Sequence, residues 1–269
     1  DIFPWNIENQ RKLETIKNKT IGLVLSGGGV KGMAHIGILK ALTQRDIFPD
    51  YISGVSAGAL VGGLYADGAT TDDMLQFFKE TPLLKYNFVT INKPGLFDTD
   101  KYLTFFDEFF TSHRFEGLEK RLTVVATDLL KGQPKFFNSG ELFLPLLASA
   151  ALPPVFSPVS IDGQLYADGG IMNNFPIEPL VDHSDVIIGC YATSNKEIGK
   201  GQVKNALQIS QRANLLMLHA NAMDKLYVPD LLFVPDELGE IGVLDKKGID
   251  KAFTIGYDCA NRKLDEWLQ

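Results

Sequence analysis

One serine of this chain lies at the junction between a predicted strand and a predicted helix. Gly54, Ser56 and Gly58 form a G-x-S-x-G box, with an apolar strand pair at 51–52 before it and a helix-forming run at 57–65 after it. In such a strand–turn–helix the serine adopts a strained backbone conformation, and the glycines remove side chains that would clash there. The hydroxyl stands at a helix N-terminus, which favours developing negative charge. The box therefore predicts a nucleophile at Ser56, although a βα turn without chemistry has the same composition.

The rest of the chain favours one large α/β domain around this junction. With 269 residues, of which 45% are hydrophobic, the chain can bury a substantial core. Continuous apolar runs of strand length alternate with helical patterns, which is typical of a mostly parallel sheet. We predict an N-terminal arm over residues 1–19 and a single α/β domain over residues 20–269.

Periodicity and turn residues predict the individual elements of this domain. We expect a hairpin around Asp162-Gly163. The stretch 82–96 has little pattern and reads as a loop. The remaining predictions are strands over 21–25, 51–53, 122–127, 135–137, 186–191 and 231–234, and helices over 33–42, 57–66, 141–151, 202–226 and 250–268, with further helices begun by Thr71 and Thr99.

The charge balance argues against a nucleic-acid partner. The chain has 26 Lys and Arg residues against 33 Asp and Glu residues, a net charge of −7, and so lacks the electrostatic footprint of a nucleic-acid-binding protein. Contact with anionic lipid would require a local basic patch. Two lysine clusters are candidates, with ordinary solvated lysines as the alternative: Lys196, Lys200 and Lys204, and Lys246, Lys247 and Lys251.

The apolar segments are too short to cross a membrane. No uninterrupted run reaches the length of a bilayer-spanning helix, and no secretory signal is recognisable at the start of the sequence. We therefore expect a protein that is cytoplasmic or peripheral at a membrane surface. The sequence starts at Asp1 and not at Met, which leaves N-terminal processing open.

A glycine-rich loop follows the first predicted strand. Gly27, Gly28 and Gly29 leave their backbone N–H groups unobstructed, and the next helix starts directly after them. Such a loop is suited to an oxyanion hole, in which N–H groups hold the oxygen of a tetrahedral acyl intermediate. Lys31 would add positive charge near that oxygen or near a substrate phosphate, or it is a surface lysine.

The same loop also fits a dinucleotide-binding fingerprint. Gly27, Gly29 and Gly32 match G-x-G-x-x-G, which further requires an acidic residue at the end of the next strand. Asp50 has the spacing but precedes that strand, and Ser56 stands near its end. The oxyanion hole is therefore the stronger interpretation.

The third feature is a carboxylate followed by two glycines, Asp168 with Gly169-Gly170. Alone it is an ordinary turn, but next to a nucleophile it is a candidate base. The chain order serine, acid, histidine of α/β-hydrolases is satisfied by Ser56, Asp168 and either His183 or His219. His183 lies in a polar loop and His219 within a long predicted helix, so order alone leaves the identity of the base open.

Together these motifs resemble those of one family, the patatin-like phospholipases, which are lipid acyl hydrolases. The resemblance lies in residues 27–32, 54–58 and 168–170, and residues 148–156 are similar to the segment that precedes the aspartate in such proteins. It extends from about residue 21 to about residue 180, and we find no motif to quote after about residue 200.

The resemblance implies a three-layer α/β/α sandwich with a mostly parallel central sheet and a Ser–Asp dyad that needs no histidine, metal or cofactor. The implied reaction is hydrolysis of the carboxyl ester of a lipid, either a phospholipid or a glyceride, through an acyl-enzyme. A Ser-Asp-His esterase and a catalytically silent binding domain on the same scaffold are the alternatives, and the sequence does not predict the oligomeric state. The implied roles are Ser56 as nucleophile, Asp168 as base, Gly27, Gly28 and Gly29 as oxyanion hole, and Lys31, Gly32, Gly54, Gly58, Gly169 and Gly170 in support.

Four phenylalanines fall on one face of the helix predicted to start at Thr99. A lipid hydrolase needs an apolar channel, and these rings would line it, touch a membrane surface or simply pack in the core. They are Phe105, Phe106, Phe109 and Phe110.

Overall fold

The computed structural model describes residues 7–81, 99–153, 155–193 and 195–269, which form helices around a central sheet. Seven strands follow the order β5-β6-β3-β2-β1-β7-β8, and β4 pairs with β3. The strands are β1 Ile21–Leu25, β2 Tyr51–Val55, β3 Arg121–Asp128, β4 Gln133–Phe137, β5 Val159–Ile161, β6 Gln164–Asp168, β7 Val186–Cys190 and β8 Leu231–Phe233.

The helices come from the segments between these strands and from the N-terminal part of the chain. The first of them, α1, packs Leu13 and Ile16 against the core, and its Lys17 forms an ion pair of 2.9 Å with Asp46. The helices are α1 Ile7–Lys17, α2 Met33–Thr43, α3 Ala57–Ala66, α4 Thr71–Glu80, α5 Thr99–Phe109, α6 Phe143–Ser149, α7 Glu178–Val181, α8 Ala206–Ala220 and α9 Ile249–Trp267.

The sheet separates two hydrophobic cores, as strand alternation requires. Leu23 and Leu25 of β1 face a large core that also contains side chains of α2, α3, α4, α5, α6 and α9. Val24 faces the other side, where it meets a smaller core that includes Phe175 and Leu180. Both faces of the central strands are therefore covered, which explains their continuous apolar sequences and confirms the predicted three-layer architecture.

Parallel and antiparallel strands occupy different parts of the sheet. The strands β3, β2, β1, β7 and β8 run parallel to one another, whereas β4, β6 and β5 add antiparallel pairings at the β3 side. The sheet is thus mostly parallel around β1, as expected.

Two strands meet end to end along one edge of β3. In β2 the last residue, Val55, pairs with Val125, and in β6 the last residue, Asp168, pairs with the next position of β3, Ala126. Since β4 pairs with both of these β3 positions from the opposite edge, β2 and β6 share the same edge. The register therefore brings the end of β6 to the residue that follows β2, which is Ser56.

The structure shortens two predicted helices. The helix expected over 202–226 is α8, which begins only after Asn205, whose side chain caps it by accepting from the Gln208 N–H at 3.0 Å. The helix expected over 141–151 is α6, in which Glu141 accepts from the first backbone N–H groups. The cap of α4 is Thr70 and not Thr71, through a capping box with Asp73. The predicted loop 82–96 lies outside the described residues.

The phenylalanines of α5 belong to the core. Phe106 and Phe110 are fully buried, and Phe105 and Phe109 pack against the same core with partial exposure. All four rings surround Phe77 of α4 at centroid distances of 5.1 to 6.4 Å. Core packing, and not an exposed surface, is therefore the structural role of this cluster.

Candidate active site

Ser56 occupies a strained turn between β2 and α3. Its backbone has φ of 54° and ψ of −125°, a conformation that non-glycine residues rarely adopt, and α3 begins at the next residue. The turn places the hydroxyl at the N-terminus of α3, as the G-x-S-x-G box predicts.

A buried serine of α6 holds this turn in place. The backbone N–H of Ser56 donates to the Oγ of Ser149 at 2.9 Å, and that hydroxyl donates in turn to the carbonyl of Val125 in β3 at 2.6 Å. Ser149 is fully buried. It lies in the 148–156 segment quoted from the sequence, but no local pattern there indicated a contact with Ser56.

Asp168 lies beside Ser56 at the end of β6. The Asp168 carboxylate interacts with the Ser56 side chain, and the N–H of Gly170 donates a hydrogen bond to Oδ1 of Asp168 at 2.7 Å. The Asp168 backbone is fixed by Thr127, whose Oγ1 donates to the Asp168 carbonyl at 2.8 Å, and by its own N–H, which donates to Ala151 at 2.9 Å. The carboxylate is therefore oriented from several elements.

The surroundings of Asp168 change its acidity. The side chain is buried, and removal from water raises its pKa to about 7 although the hydrogen bonds from Ser56 and Gly170 act in the opposite direction. A carboxylate with a pKa near neutrality accepts a proton far more readily than an ordinary aspartate.

The predicted glycines of the motifs sit where segments of the site approach one another closely. A side chain on Gly58 would lie 2.5 Å from the carbonyl oxygen of Ser26 and would overlap that of Leu25. A Cβ at the other three positions would likewise meet a neighbour within 3.0 Å. Those positions are Gly32, Gly54 and Gly169.

The glycine loop offers two free amides next to this pair. Gly28 and Gly29 have φ of 150° and 57°, which glycine adopts without strain. The N–H of Gly27 donates to Oδ1 of Asn174 at 3.2 Å, and the N–H of Val30 donates to the Val243 carbonyl at 2.8 Å. Over the part of the chain that the structure describes, the N–H groups of Gly28 and Gly29 have no such acceptor. Of the three glycines predicted to form an oxyanion hole, Gly28 and Gly29 therefore have amides available to a ligand, and Gly27 does not.

Asn174 and Thr193 fix the loop from the opposite side. The Nδ2 of Asn174 donates to Oγ1 of Thr193 at 2.9 Å, and that hydroxyl donates to the Gly27 carbonyl at 2.9 Å. Both side chains are buried. Our sequence analysis missed both residues, for which the only signal was an asparagine shortly after the Asp168 turn.

Neither histidine proposed as an alternative base touches Ser56. His183 stacks on Tyr51 with ring centroids 5.6 Å apart, at the start of β2, whereas Ser56 follows the end of that strand. Since a strand rises about 3.3 Å per residue, the two lie on the order of 15 Å apart. Nδ1 of His219 is 2.7 Å from Oη of Tyr191. Within the described ranges no imidazole hydrogen-bonds the Ser56 hydroxyl.

A cavity of about 560 Å³ opens over Ser56 and Asp168. This volume is in the usual range of small-molecule sites. Most of its lining is apolar and comes from elements on both sides of the glycine loop. The apolar side chains include Met33, Leu60, Phe78, Leu152, Val155, Phe156, Leu215 and Leu218.

Lys31 and Arg212 are two of the cations that line the same cavity. Lys31 is only 4% exposed, and burial together with the charge of Arg212 lowers its pKa. Two further carboxylates line the cavity, but Glu240 pairs with Lys251, and Asp245 accepts from a backbone N–H. Among the described residues Lys31 forms no ion pair, although it lies in the same cavity as these carboxylates.

The described residues provide neither a metal-binding cluster nor a membrane-spanning helix. They contain no group of three or more His, Cys, Asp or Glu side chains arranged to hold a metal ion. None of the helices in those ranges combines the length and the apolar character that a bilayer crossing requires.

Sequence comparison links the chain to known proteins. The profile of the family described as patatin-like phospholipase matches residues 23–181, more than half of the chain. An uncharacterized NTE family protein of Mycobacterium tuberculosis is 36% identical over 163 residues, which cover 60% of this chain and 45% of that protein. Lysophospholipase nte1 of Aspergillus fumigatus is 22% identical over 299 residues, which cover 98% of this chain and 19% of that protein. The chain thus spans less than half the length of the mycobacterial relative and about a fifth of the length of the fungal one.

Two solved structures share the fold. VipD from Legionella pneumophila superimposes with a TM-score of 0.56 at 17% identity, over 92% of this chain and 67% of that chain. Human GIVD cytosolic phospholipase A2, solved with methyl gamma-linolenyl fluorophosphonate, gives a TM-score of 0.52 at 11% identity, over 97% of this chain and 61% of that chain. At these sequence identities the comparison shows a shared fold and no more.

Proposed function

Because the chain belongs to the patatin-like phospholipase family, we propose that it is a lipid acyl hydrolase that cleaves carboxyl esters with Ser56 as nucleophile and Asp168 as base. One observation carries the proposal. Strand register brings Ser56 to a buried carboxylate beside two free loop amides, all under one largely apolar cavity. Nucleophile, base and oxyanion donors are the parts that acyl transfer requires.

The first half of the reaction forms an acyl-enzyme. Oγ of Ser56 attacks the ester carbonyl while its proton passes to the carboxylate of Asp168. The N–H groups of Gly28 and Gly29 hold the oxyanion of the tetrahedral intermediate, and each such donor is worth about 10²–10³ in kcat. When the intermediate collapses, the C–O bond breaks and the leaving alcohol takes the proton back from Asp168.

The second half of the reaction hydrolyses the acyl-enzyme, with water in the place of the leaving alcohol. A water molecule loses a proton to Asp168 and attacks the acyl carbonyl, the same amides hold the oxyanion, and the ester bond to Ser56 breaks. The fatty acid is released as the proton returns to Oγ. Burial of Asp168 supports this cycle because a pKa of about 7 lets the group accept and return a proton near neutral pH.

The lining of the cavity supports a phosphate-bearing lipid as substrate. The apolar side chains fit an acyl chain, and the side chains of Lys31 and Arg212, which form no ion pair among the described residues, fit an anionic group of the same substrate. The matched lysophospholipase of Aspergillus fumigatus supports the same class. We therefore propose that a lysophospholipid is hydrolysed in preference to a neutral glyceride.

Labelling with a fluorophosphonate, combined with turnover of a panel of esters, tests the proposal. We expect one covalent adduct on Ser56 by mass spectrometry, and loss of both labelling and turnover in Ser56→Ala. In Asp168→Asn turnover should fall by about 10³ or more, because no other base contacts the hydroxyl.

The histidine variants provide the matched controls. We expect His183→Ala and His219→Ala to retain most of their activity. A loss in either one as large as that of Ser56→Ala would replace the dyad with a Ser-Asp-His mechanism. A folded protein that binds lipid but neither takes up the probe nor hydrolyses any ester would instead be a silent binding domain.

A further inference from the structure

The helix α8 presents an apolar face to solvent. Ile209, Leu216 and Met217 are exposed, Met217 to 61%. Ala213 and Ala220 are exposed on the same side, because these five positions recur at helical spacing. A surface helix of a soluble protein usually turns such a stripe towards the core, so this outward orientation points to an occupant.

The opposite face of α8 lines the cavity over Ser56. Leu215 and Leu218 contribute apolar lining, and Arg212 contributes a cation. The Cδ2 of Leu218 approaches Gly170, next to the carboxylate of Asp168. The helix therefore separates the outer apolar stripe from the candidate site by only its own thickness, about 10 Å.

The apolar surface continues beyond the helix. Ile171 and Met172, just after the Asp168 turn, are exposed, and Asn221 at the end of α8 donates to the Ile171 carbonyl at 3.3 Å. Tyr227, which follows α8, is 89% exposed. Exposed aromatic rings are typical of proteins that lie at a lipid–water boundary.

Positive charge flanks the stripe. Residues 195–228 contain five basic and two acidic side chains, whereas the whole chain carries a net charge of −7. α8 itself contains no Asp or Glu. Lys200 and Lys204, just before the helix, are exposed and form no ion pair with a described residue. An apolar helical face with flanking lysines matches the chemistry of an anionic lipid surface.

We propose that the outer face of α8, with Ile171, Met172, Lys200 and Lys204, docks on an anionic phospholipid bilayer. The inference rests on the proposed function, since a lipid surface against α8 brings substrate next to the cavity that its inner face lines. A second copy is a poorer occupant, because a two-fold contact would place the basic segment opposite itself.

Vesicle co-sedimentation of the Ser56→Ala protein, which cannot consume the lipid, tests this surface. We expect binding to phosphatidylcholine vesicles that contain phosphatidylserine. Leu216→Asp combined with Met217→Asp should weaken that binding by about tenfold or more. Lys200→Ser combined with Lys204→Ser should weaken it by about fivefold per lysine and leave binding to pure phosphatidylcholine unchanged.

Val181→Asp is the matched control. Val181 is exposed to 51% on α7, whose Leu180 packs at Gly22 at the opposite end of the strands from Ser56. This variant should bind vesicles like the parent. Equal vesicle binding by the Leu216/Met217 double variant and the parent would overturn the proposal. So would a dimeric parent protein that becomes monomeric in the double variant, because a second copy of the chain would then cover the outer face of α8.

A soluble short-chain ester separates this inference from the proposed function. Neither Leu216 nor Met217 lines the cavity. When Ser56 is left intact, the Leu216/Met217 double variant should therefore hydrolyse that ester at the rate of the unmutated protein. Absence of turnover in the parent would reject the hydrolase and leave the vesicle result to be judged alone.

Discussion

Burial of the Asp168 carboxylate affects both catalysis and stability. Inside the site its ionised form is disfavoured, so its pKa rises to about 7 from an ordinary value of 3.8. The same ionised form is the one that accepts the proton of Ser56 in the proposed mechanism. The group that supplies the chemistry is thus one that the fold holds at a cost in free energy.

The pH dependence of turnover follows from this pKa. We predict that kcat/KM on a soluble neutral ester rises with pH through a midpoint near 7 and then levels off, because only ionised Asp168 acts as base in the free enzyme. Initial rates between pH 5 and pH 9 measure it. A rate that already levels off near pH 5 would mean that Asp168 is not held in this environment.

Stability should depend on pH with the opposite sign. A raised folded-state pKa contributes stability that is fully present below the unfolded value, near pH 4, and lost as pH rises through about 7. We predict that Asp168→Asn, which cannot ionise, is more stable than the parent at pH 8 by up to about 4 kcal/mol, with a much smaller difference at pH 4.5. Urea unfolding of both proteins at the two pH values measures this.

The exposed Asp258 of α9 provides the control for this comparison. Its change to Asn should leave the parent's pH dependence unaltered. If Asp168→Asn and the parent differ equally at both pH values, burial of the charge is not the source of the effect.

At the scale of elements, the turn around Ser56 depends on α6 and β3 as much as on its own motif. Ser149 of α6 joins the Ser56 N–H to the Val125 carbonyl of β3. The motif glycines allow the strained turn, but this hydroxyl connects it to β3, the strand with which β6 and its Asp168 also pair. Position and orientation of the nucleophile therefore come from three packed elements.

Removing the Ser149 hydroxyl should weaken both stability and catalysis. Ser149→Ala leaves a buried N–H and a buried carbonyl without their partner, so we predict a loss of about 1–3 kcal/mol in the free energy of unfolding. We also expect a lower kcat with little change in KM, since substrate lining is untouched. Ser160→Ala on the exposed side of β5 should change neither quantity. Unaltered kcat in a destabilised Ser149→Ala protein would limit Ser149 to a structural role.

At the scale of the whole molecule, charge is distributed unevenly on an acidic protein. Lys31 and Arg212 line the cavity, and the flanking lysines surround the outer face of α8, although the chain has a net charge of −7. Basic side chains that form no ion pair with a described residue thus lie both in the cavity and next to α8. This arrangement suits recognition of a phosphate-bearing lipid from an anionic surface.

Substrate preference tests this distribution inside the cavity. We predict that Arg212→Met lowers the ratio of kcat/KM for a lysophospholipid over a monoacylglycerol with the same acyl chain by about tenfold, because a charge-assisted contact to phosphate is lost. Arg262→Met on α9, whose guanidinium pairs with Glu237 on the surface, is the control. An unchanged ratio in Arg212→Met would remove phosphate recognition from the proposal.

The local features of this protein can be predicted from the amino-acid sequence. The strained turn at Ser56, the free amides after β1, the fold class and most element positions follow from spacing, glycines and apolar periodicity, which act over a few residues. The ends of α8 were misjudged because apolar periodicity extends past the capping residue Asn205, and the periodicity did not reveal which face of α8 would be exposed.

Only the tertiary structure decided how distant segments meet. The pairing of β2 and β6 along the same edge of β3 brings Asp168 to Ser56, and packing alone engages Gly27 with Asn174. The outward apolar face of α8 was likewise set by its packing over the cavity. These contacts join residues far apart in the chain. Which residues meet depends on strand register and on competition between partners, and a local sequence pattern encodes neither.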